Sequence, residues 1–293
     1  MSEQLKGRHF TRSADFSREE LLAVLDLADD LKREPRALLP GRSLGMIFEK
    51  PSMRTRVSFE VGIQQLGGFA IHLPGGDIGL GHRETTRDMA RVLSRYLDAI
   101  MIRTFAQSVV DELAEHASVP VVNGLTDDEH PCQALADFQT IRERLGRVEG
   151  LRIAYIGDGN NMCVSLANLA AILGAEFVTA APDGYEPPPG TPGEVVRDPA
   201  EAARGADVLY TDVWTSMGQE EERARRLEAF RGFTIDAVLL AEAALGAIVL
   251  HCLPAHYGEE ITEEVLYGPQ SAVWDEAENR LHAQKALLAL IVP

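Results

Sequence analysis

Nowhere in this sequence do about eighteen apolar residues run together, which leaves no helix able to span a bilayer. The first residues, Met1-Ser2-Glu3-Gln4-Leu5-Lys6, lack the apolar core of a secretory signal. Cysteine is scarce. Cys132, Cys163 and Cys252 are far apart, odd in number and outside any Cys-x-x-Cys spacing. That pattern offers no zinc framework and suits a reducing, cytoplasmic compartment. Positive charge is short too, with 28 Lys and Arg against 45 Asp and Glu and a formal net charge of −17. Such a chain is not a general nucleic-acid binder. It binds an anion only by gathering cations locally, and Arg54, Arg56, Arg103, His130 and Arg280 are the candidates. What is present is an ordinary globular balance, 45% hydrophobic and 25% charged over 293 residues, enough for one large or two ordinary domains.

The chain is organised around Phe48-Glu49-Lys50-Pro51-Ser52-Met53-Arg54-Thr55-Arg56-Val57-Ser58-Phe59-Glu60. Residues 43–48 read as a buried strand, and 57–66 as a helix stopped by Gly67-Gly68. The intervening turn offers a hydroxyl, a guanidinium, a hydroxyl and a guanidinium at a helix N-terminus. Free N–H groups and the helix dipole favour an anion there. Two guanidiniums and two hydroxyls suit a phosphate dianion better than one carboxylate.

Strand and helix patterns alternate along the chain, which predicts a parallel sheet with helices on both faces. Ligands of such sheets bind beyond the carboxyl ends of the strands. Arg54, Arg103 and His130 each follow a predicted strand end. Residues 77–87 read as a surface connection. A polar linker at 146–150 divides a first domain, 1–146, from a second, 147–275, and an apolar helix over 276–293 is expected to pack back on the first. In the second domain Gly157-Asp158-Gly159-Asn160-Asn161-Met162 sits where a dinucleotide fingerprint would, with Asp183 at the ribose-binding distance. The third glycine is missing, and the Asn pair suits a polar small molecule such as an amino acid better. Asp212 and His251-Cys252-Leu253-Pro254 end further strands, and the charged segment 219–230 reads as a solvated helix.

Ser52-Met53-Arg54-Thr55-Arg56 resembles the carbamoyl-phosphate loop of the aspartate/ornithine carbamoyltransferase family, with Met53 in place of the commoner Thr. His130-Pro131-Cys132-Gln133, Asp212-Val213-Trp214-Thr215-Ser216-Met217-Gly218 and His251-Cys252-Leu253-Pro254 resemble the ornithine branch, in the family's order and across nearly the whole chain. The resemblance implies an α/β fold of two doubly wound parallel-sheet domains joined by two interdomain helices. It implies carbamoyl transfer from carbamoyl phosphate to L-ornithine without metal or cofactor, and a homotrimer or a multiple of trimers. Ser52, Met53, Arg54, Thr55 and Arg103 would bind phosphate. His130, Gln133, Arg103 and Thr55 would engage the carbamoyl group, with Arg280, Cys252 and Leu253 near it. Asn161, Asp212, Ser216 and Met217 would bind ornithine, and Cys252 with Asp212 would help deprotonate its side-chain amine. N-Acetylornithine or putrescine as acceptor, and a non-catalytic metabolite-binding homologue, are the alternatives.

Overall fold

The computed structural model describes residues 2–79, 84–215 and 220–293. The chain forms two compact units, Met1–Gln139 with Glu278–Pro293, and Thr140–Ala277. It passes from one to the other inside two helices, Pro131–Leu145 and Val273–Ile291. Among the described residues no helix is long and apolar enough to cross a membrane.

In the first unit four strands pair in parallel: β1 (Ser43–Phe48), β2 (Phe69–Pro74), β3 (Ala99–Arg103) and β4 (Val121–Leu125). Their order is β2-β1-β3-β4. β1 and β3 are buried throughout, as central strands of a sheet covered on both faces must be, whereas β2 at the edge has exposed positions. Ile47, Ile100, Ile102, Val121, Val110 and Leu113 form part of one apolar cluster against this sheet. The Arg18–Arg33 helix starts on a reciprocal cap, in which Ser17 Oγ accepts from the Glu20 N–H and the Glu20 carboxylate accepts from the Ser17 N–H at 2.8 Å. Its Leu21, Val24, Leu25, Ala28 and Leu31 recur at helical spacing and are buried.

The second unit holds β5 (Arg152–Ile156), β6 (Glu176–Ala180), β7 (Glu194–Val196), β8 (Val208–Thr211) and β9 (Ile248–His251), all parallel, in the order β7-β6-β5-β8-β9. The three-residue β7 was not expected from the sequence. It follows a Pro- and Gly-rich loop and is held at the sheet edge by pairing with β6. Asn160 caps the Asn161–Leu173 helix, accepting from the N–H groups of Met162 and Cys163.

The organising helix runs Met53–Gln65, beginning at 53 rather than at 57. Ser52 is its N-cap, and Ser52 Oγ accepts from the Thr55 N–H at 3.3 Å. Arg54, Thr55 and Arg56 therefore stand on the first helical turn and not in a turn ahead of it. The apolar periodicity begins only beyond them, which is why periodicity alone placed the start too late.

Candidate active site

Strand order reverses between β1 and β3 in the first unit and between β5 and β8 in the second. Ligands of open parallel sheets bind at such reversals, beyond the carboxyl ends of the strands. At the first reversal stand Ser52, at the N-terminus of the helix after β1, and Arg103, the last residue of β3.

Further side chains join them. Thr55 Oγ1 accepts from Arg103 Nη1 at 3.5 Å and from Arg280 Nη2 at 3.2 Å. Arg280 Nη1 donates to Gln133 Oε1 at 2.6 Å, and Gln133 Nε2 donates to Asp137 Oδ1 at 2.8 Å. Gln284, one turn beyond Arg280, accepts from Arg280 Nε at 3.1 Å and donates to Ser58 Oγ at 2.8 Å. Arg280 is thus aimed by two glutamines and a threonine, and Gln284 is a member the sequence reading missed. Its i, i+4 spacing from Arg280 was the available signal.

Thr55, Arg103, His130, Gln133 and Arg280 are buried, and Arg54 is half-buried. Burial, then the guanidiniums of Arg280, Arg103 and Arg54, hold His130 well below the usual histidine range. A neutral imidazole results, able to donate one hydrogen bond without carrying charge. Met53 is 72% exposed, so its side chain is not packed into this set. Arg56 lies apart as well, exposed and paired with Glu60 at 3.0 Å along the helix.

At the second reversal Asp212 follows β8 and Asn160-Asn161 follows β5. Asp212 Oδ1 accepts from the Val213 N–H at 2.8 Å and from Cys252 Sγ at 3.1 Å. Its Oδ2 accepts from Asn160 Nδ2 at 2.9 Å. Cys132 and Cys163 are fully enclosed, and burial pushes each thiol up to about 12. Cys252 is only half-buried, and its thiol donates to the Asp212 carboxylate. The next residue, Leu253, has φ 57, a left-handed conformation that is strained for a branched side chain. Its N–H donates to His251 Nδ1 at 2.9 Å, so the imidazole proton is on Nε2, where Glu260 Oε1 accepts it at 3.0 Å.

Cys252 and Leu253, expected beside the donor, belong to the second unit, as do Asn161 and Asp212. Ser216 and Met217, expected to bind the acceptor, lie outside the described residues, with Gly218 and the 80–83 part of the segment 77–87. The 219–230 stretch is not wholly solvated. Its helix is Arg223–Ala229, and Arg226 is buried against Asp158 at 2.7 Å, beneath the Tyr185 ring. Charged composition hid this, because the partners are remote in sequence. The glycine turn after β5 is occupied by the chain itself. A Cβ on Gly159 would meet Pro187 N at 2.0 Å, and Asp183 is spent on Arg197 at 2.6 Å. The close backbone approach that a dinucleotide phosphate needs is therefore taken.

Residues 8–143 match the aspartate/ornithine carbamoyltransferase carbamoyl-P binding domain, and residues 149–291 match the Asp/Orn binding domain of the same family. The chain belongs to the aspartate/ornithine carbamoyltransferase family. Among carbamoyltransferases it is 53% identical to an ornithine carbamoyltransferase of Methanoculleus marisnigri, over 97% of each chain. The structure of ornithine carbamoyltransferase from Pyrococcus furiosus superposes with a TM-score of 0.95 at 48% identity, covering 98% of each chain. A solved N-acetyl-L-ornithine transcarbamylase variant shares the carbamoyltransferase fold at 30% identity and a TM-score of 0.87, with 97% of this chain and 100% of that one covered. The two doubly wound units are thus the fold of this family.

Proposed function

We propose that this protein is an ornithine carbamoyltransferase, converting carbamoyl phosphate and L-ornithine to L-citrulline and phosphate. One observation carries the reading. A cationic, hydroxyl-bearing set stands at one strand-order reversal, and a carboxylate–thiol pair at the other. The first suits a phosphate donor, the second an amine acceptor.

Ser52 Oγ, the N–H groups of the first helical turn, Arg54, Thr55 and Arg103 hold the phosphate. His130, Gln133 and Arg280 face the carbamoyl group, and neutral His130 donates to its oxygen as negative charge develops there. The acceptor is held by Asn161 and Asp212, with Ser216 and Met217. Cys252 and Asp212 orient the side-chain amine and are placed to take up its proton. The amine nitrogen then forms a bond to the carbonyl carbon, and the bond to the phosphate oxygen breaks. Phosphate leaves with that electron pair, and the amine proton passes to a neighbouring base. Carbamoyl phosphate is a mixed anhydride, already activated, so the transfer calls for no metal or organic cofactor. The working form is a cytoplasmic homotrimer or a multiple of trimers, as the family resemblance implies.

Purified protein supplied with carbamoyl phosphate and either ornithine, N-acetylornithine or putrescine tests the reading. Ornithine carries both an α-ammonium and an α-carboxylate, and each analogue lacks one charge. Unpaired polar groups then penalise the analogues, and ornithine is expected to lead by about a hundredfold or more in kcat/KM. Absence of carbamoylated product from all three leaves a binding protein. Putrescine as the better acceptor overturns the ornithine assignment while leaving the donor assignment standing.

A further inference from the structure

The turn after β9 carries a second cluster. Glu259 donates its N–H to the His256 carbonyl at 3.0 Å, so His256, Glu259 and Glu260 share one side of a single turn. His256 Nδ1 lies 3.9 Å from Glu259 Oε2 and 4.0 Å from Glu260 Oε2, and one ligand atom from each residue falls within 4.8 Å of the other two.

We propose that His256, Glu259 and Glu260 form a binding site for a divalent transition-metal cation of the zinc type. Glu260 is fully buried. Its Oε1 accepts from His251 Nε2 at 3.0 Å and from the His256 N–H at 2.6 Å. Its other oxygen, Oε2, is shielded from solvent and has no hydrogen-bond partner among the described residues, and the same is true of His256 Nδ1. A fully buried carboxylate oxygen thus faces His256 Nδ1 at 4.0 Å with no hydrogen bond made to either atom, a costly arrangement that a cation between them would relieve.

The dimensions suit a small ion. Imidazole nitrogen and carboxylate oxygen bind zinc at about 2.0–2.2 Å in a tetrahedron, which sets neighbouring ligands about 3.4 Å apart. The 3.9 and 4.0 Å separations close to that with small side-chain rotations. The outer layer is already in place. Glu260 is aimed by His251, and Arg223 holds the other oxygen of Glu259. His256 and Glu259 are partly exposed, which opens a path for the ion and a fourth position for water. Through Glu260 and His251 such an ion would brace the turn that carries Cys252 and Leu253. The site does not depend on the proposed reaction.

Chelator-treated whole protein, titrated with Zn²⁺ by calorimetry and with Co²⁺ by visible absorption, tests this. One Zn²⁺ per chain is expected. Glu259→Gln and His256→Ala should each weaken it at least about tenfold, the lower end of what losing even an outer-layer partner costs. Cys252→Ser should retain it. Bound Co²⁺ should show tetrahedral d–d bands without a thiolate charge-transfer band. Glu259 is partly exposed, so its variant reports on the site even where His256→Ala fails to fold. Absence of saturable Zn²⁺ binding overturns the proposal. So does binding that survives Glu259→Gln, disappears in Cys252→Ser and brings a thiolate band, since the ion then sits on Cys252 with Asp212 and His251.

Discussion

Arg280 Nη2 donates to Thr55 Oγ1 at 3.2 Å across 225 positions of sequence. The helix near the end of the chain thereby supplies a cation to the first turn of the helix after β1. The same guanidinium donates to Gln133 and Gln284, so its plane is defined by three side chains.

That fixed orientation yields the first prediction. Arg280→Ala removes a charge-assisted donor from the carbamoyl-phosphate set and should cost about 2–4 kcal/mol of transition-state stabilisation, the scale of one lost oxyanion donor. Arg280→Lys should recover little, because an ammonium cannot reproduce the fork that meets Thr55 and Gln133. Steady-state kinetics in carbamoyl phosphate measures both. Wild-type turnover in either variant counts against the donor set.

Asp212 tests the acceptor set. Its carboxylate accepts from Cys252 Sγ, the Val213 N–H and Asn160 Nδ2. An amide in its place keeps the shape but cannot accept at both ends, and it removes the negative charge that attracts a cationic amine. Asp212→Asn should lower turnover with ornithine about a hundredfold, as loss of about 2.7 kcal/mol implies. Carbamoyl-phosphate affinity by calorimetry should stay unchanged, since the donor set lies in the other unit. Full citrulline formation by Asp212→Asn removes Asp212 from the mechanism.

The first unit also carries an acid-sensitive histidine. Burial, then Lys285 and Lys32, push His282 down to about 4, with Glu278 opposing. The unfolded chain titrates near 6.5. Above that pH both states are neutral and His282 contributes no pH dependence. Between about 6.5 and 4 only the unfolded state takes up the proton, so stability falls as pH drops through this window. Buried His130 acts in the same direction. Urea unfolding at pH 7.5 and pH 5 should show a smaller acid loss for His282→Gln than for the parent. An equal loss would assign the acid limb to other groups.

How much of this was legible depends on whether a feature is local. Central strands such as Ser43–Phe48 are buried on both faces and read directly as apolar runs. The helix start at Met53 did not, because Ser52 caps a polar first turn ahead of the apolar stripe. Glu194–Val196 is a strand through its neighbour alone, having three residues and one buried position. Arg54, Arg103, His130 and Arg280 were drawn together by the need of an acidic chain to concentrate its cations. The contacts of Arg103 and Arg280 with Thr55, and of Arg280 with Gln133, are tertiary and leave no periodic trace. Arg226 shows the limit most clearly. In Arg223–Ala229 it looks like one solvated charge among several, and Asp158, 68 positions away, with the Trp214 carbonyl and the Tyr185 ring, makes it a buried one.

That pair carries the last prediction. Arg226 Nη1 donates to Asp158 Oδ2 at 2.7 Å and to the Trp214 carbonyl at 3.0 Å, with both charged side chains about nine-tenths buried. Burial raises the Asp158 carboxyl above its ordinary value, and Arg226 opposes that shift. Arg226→Met keeps bulk and apolar contact with Tyr185 but strands the carboxylate. Breaking a buried pair from one side costs about 3–5 kcal/mol, whereas replacing both charges is often nearly neutral. Asp158 should then hold its proton to higher pH in the folded state than in the unfolded chain. A raised folded value means that its contribution is present at low pH and is lost as pH rises. The variant should therefore be most destabilised at pH 7–8 and partly recovered near pH 5. Adding Asp158→Asn to Arg226→Met should restore most of the loss and remove this pH dependence. Chemical denaturation of the three proteins across that range decides it. If the double variant is no more stable than Arg226→Met, the pair is not what Arg226 contributes, and its bond to the Trp214 carbonyl becomes the term to test.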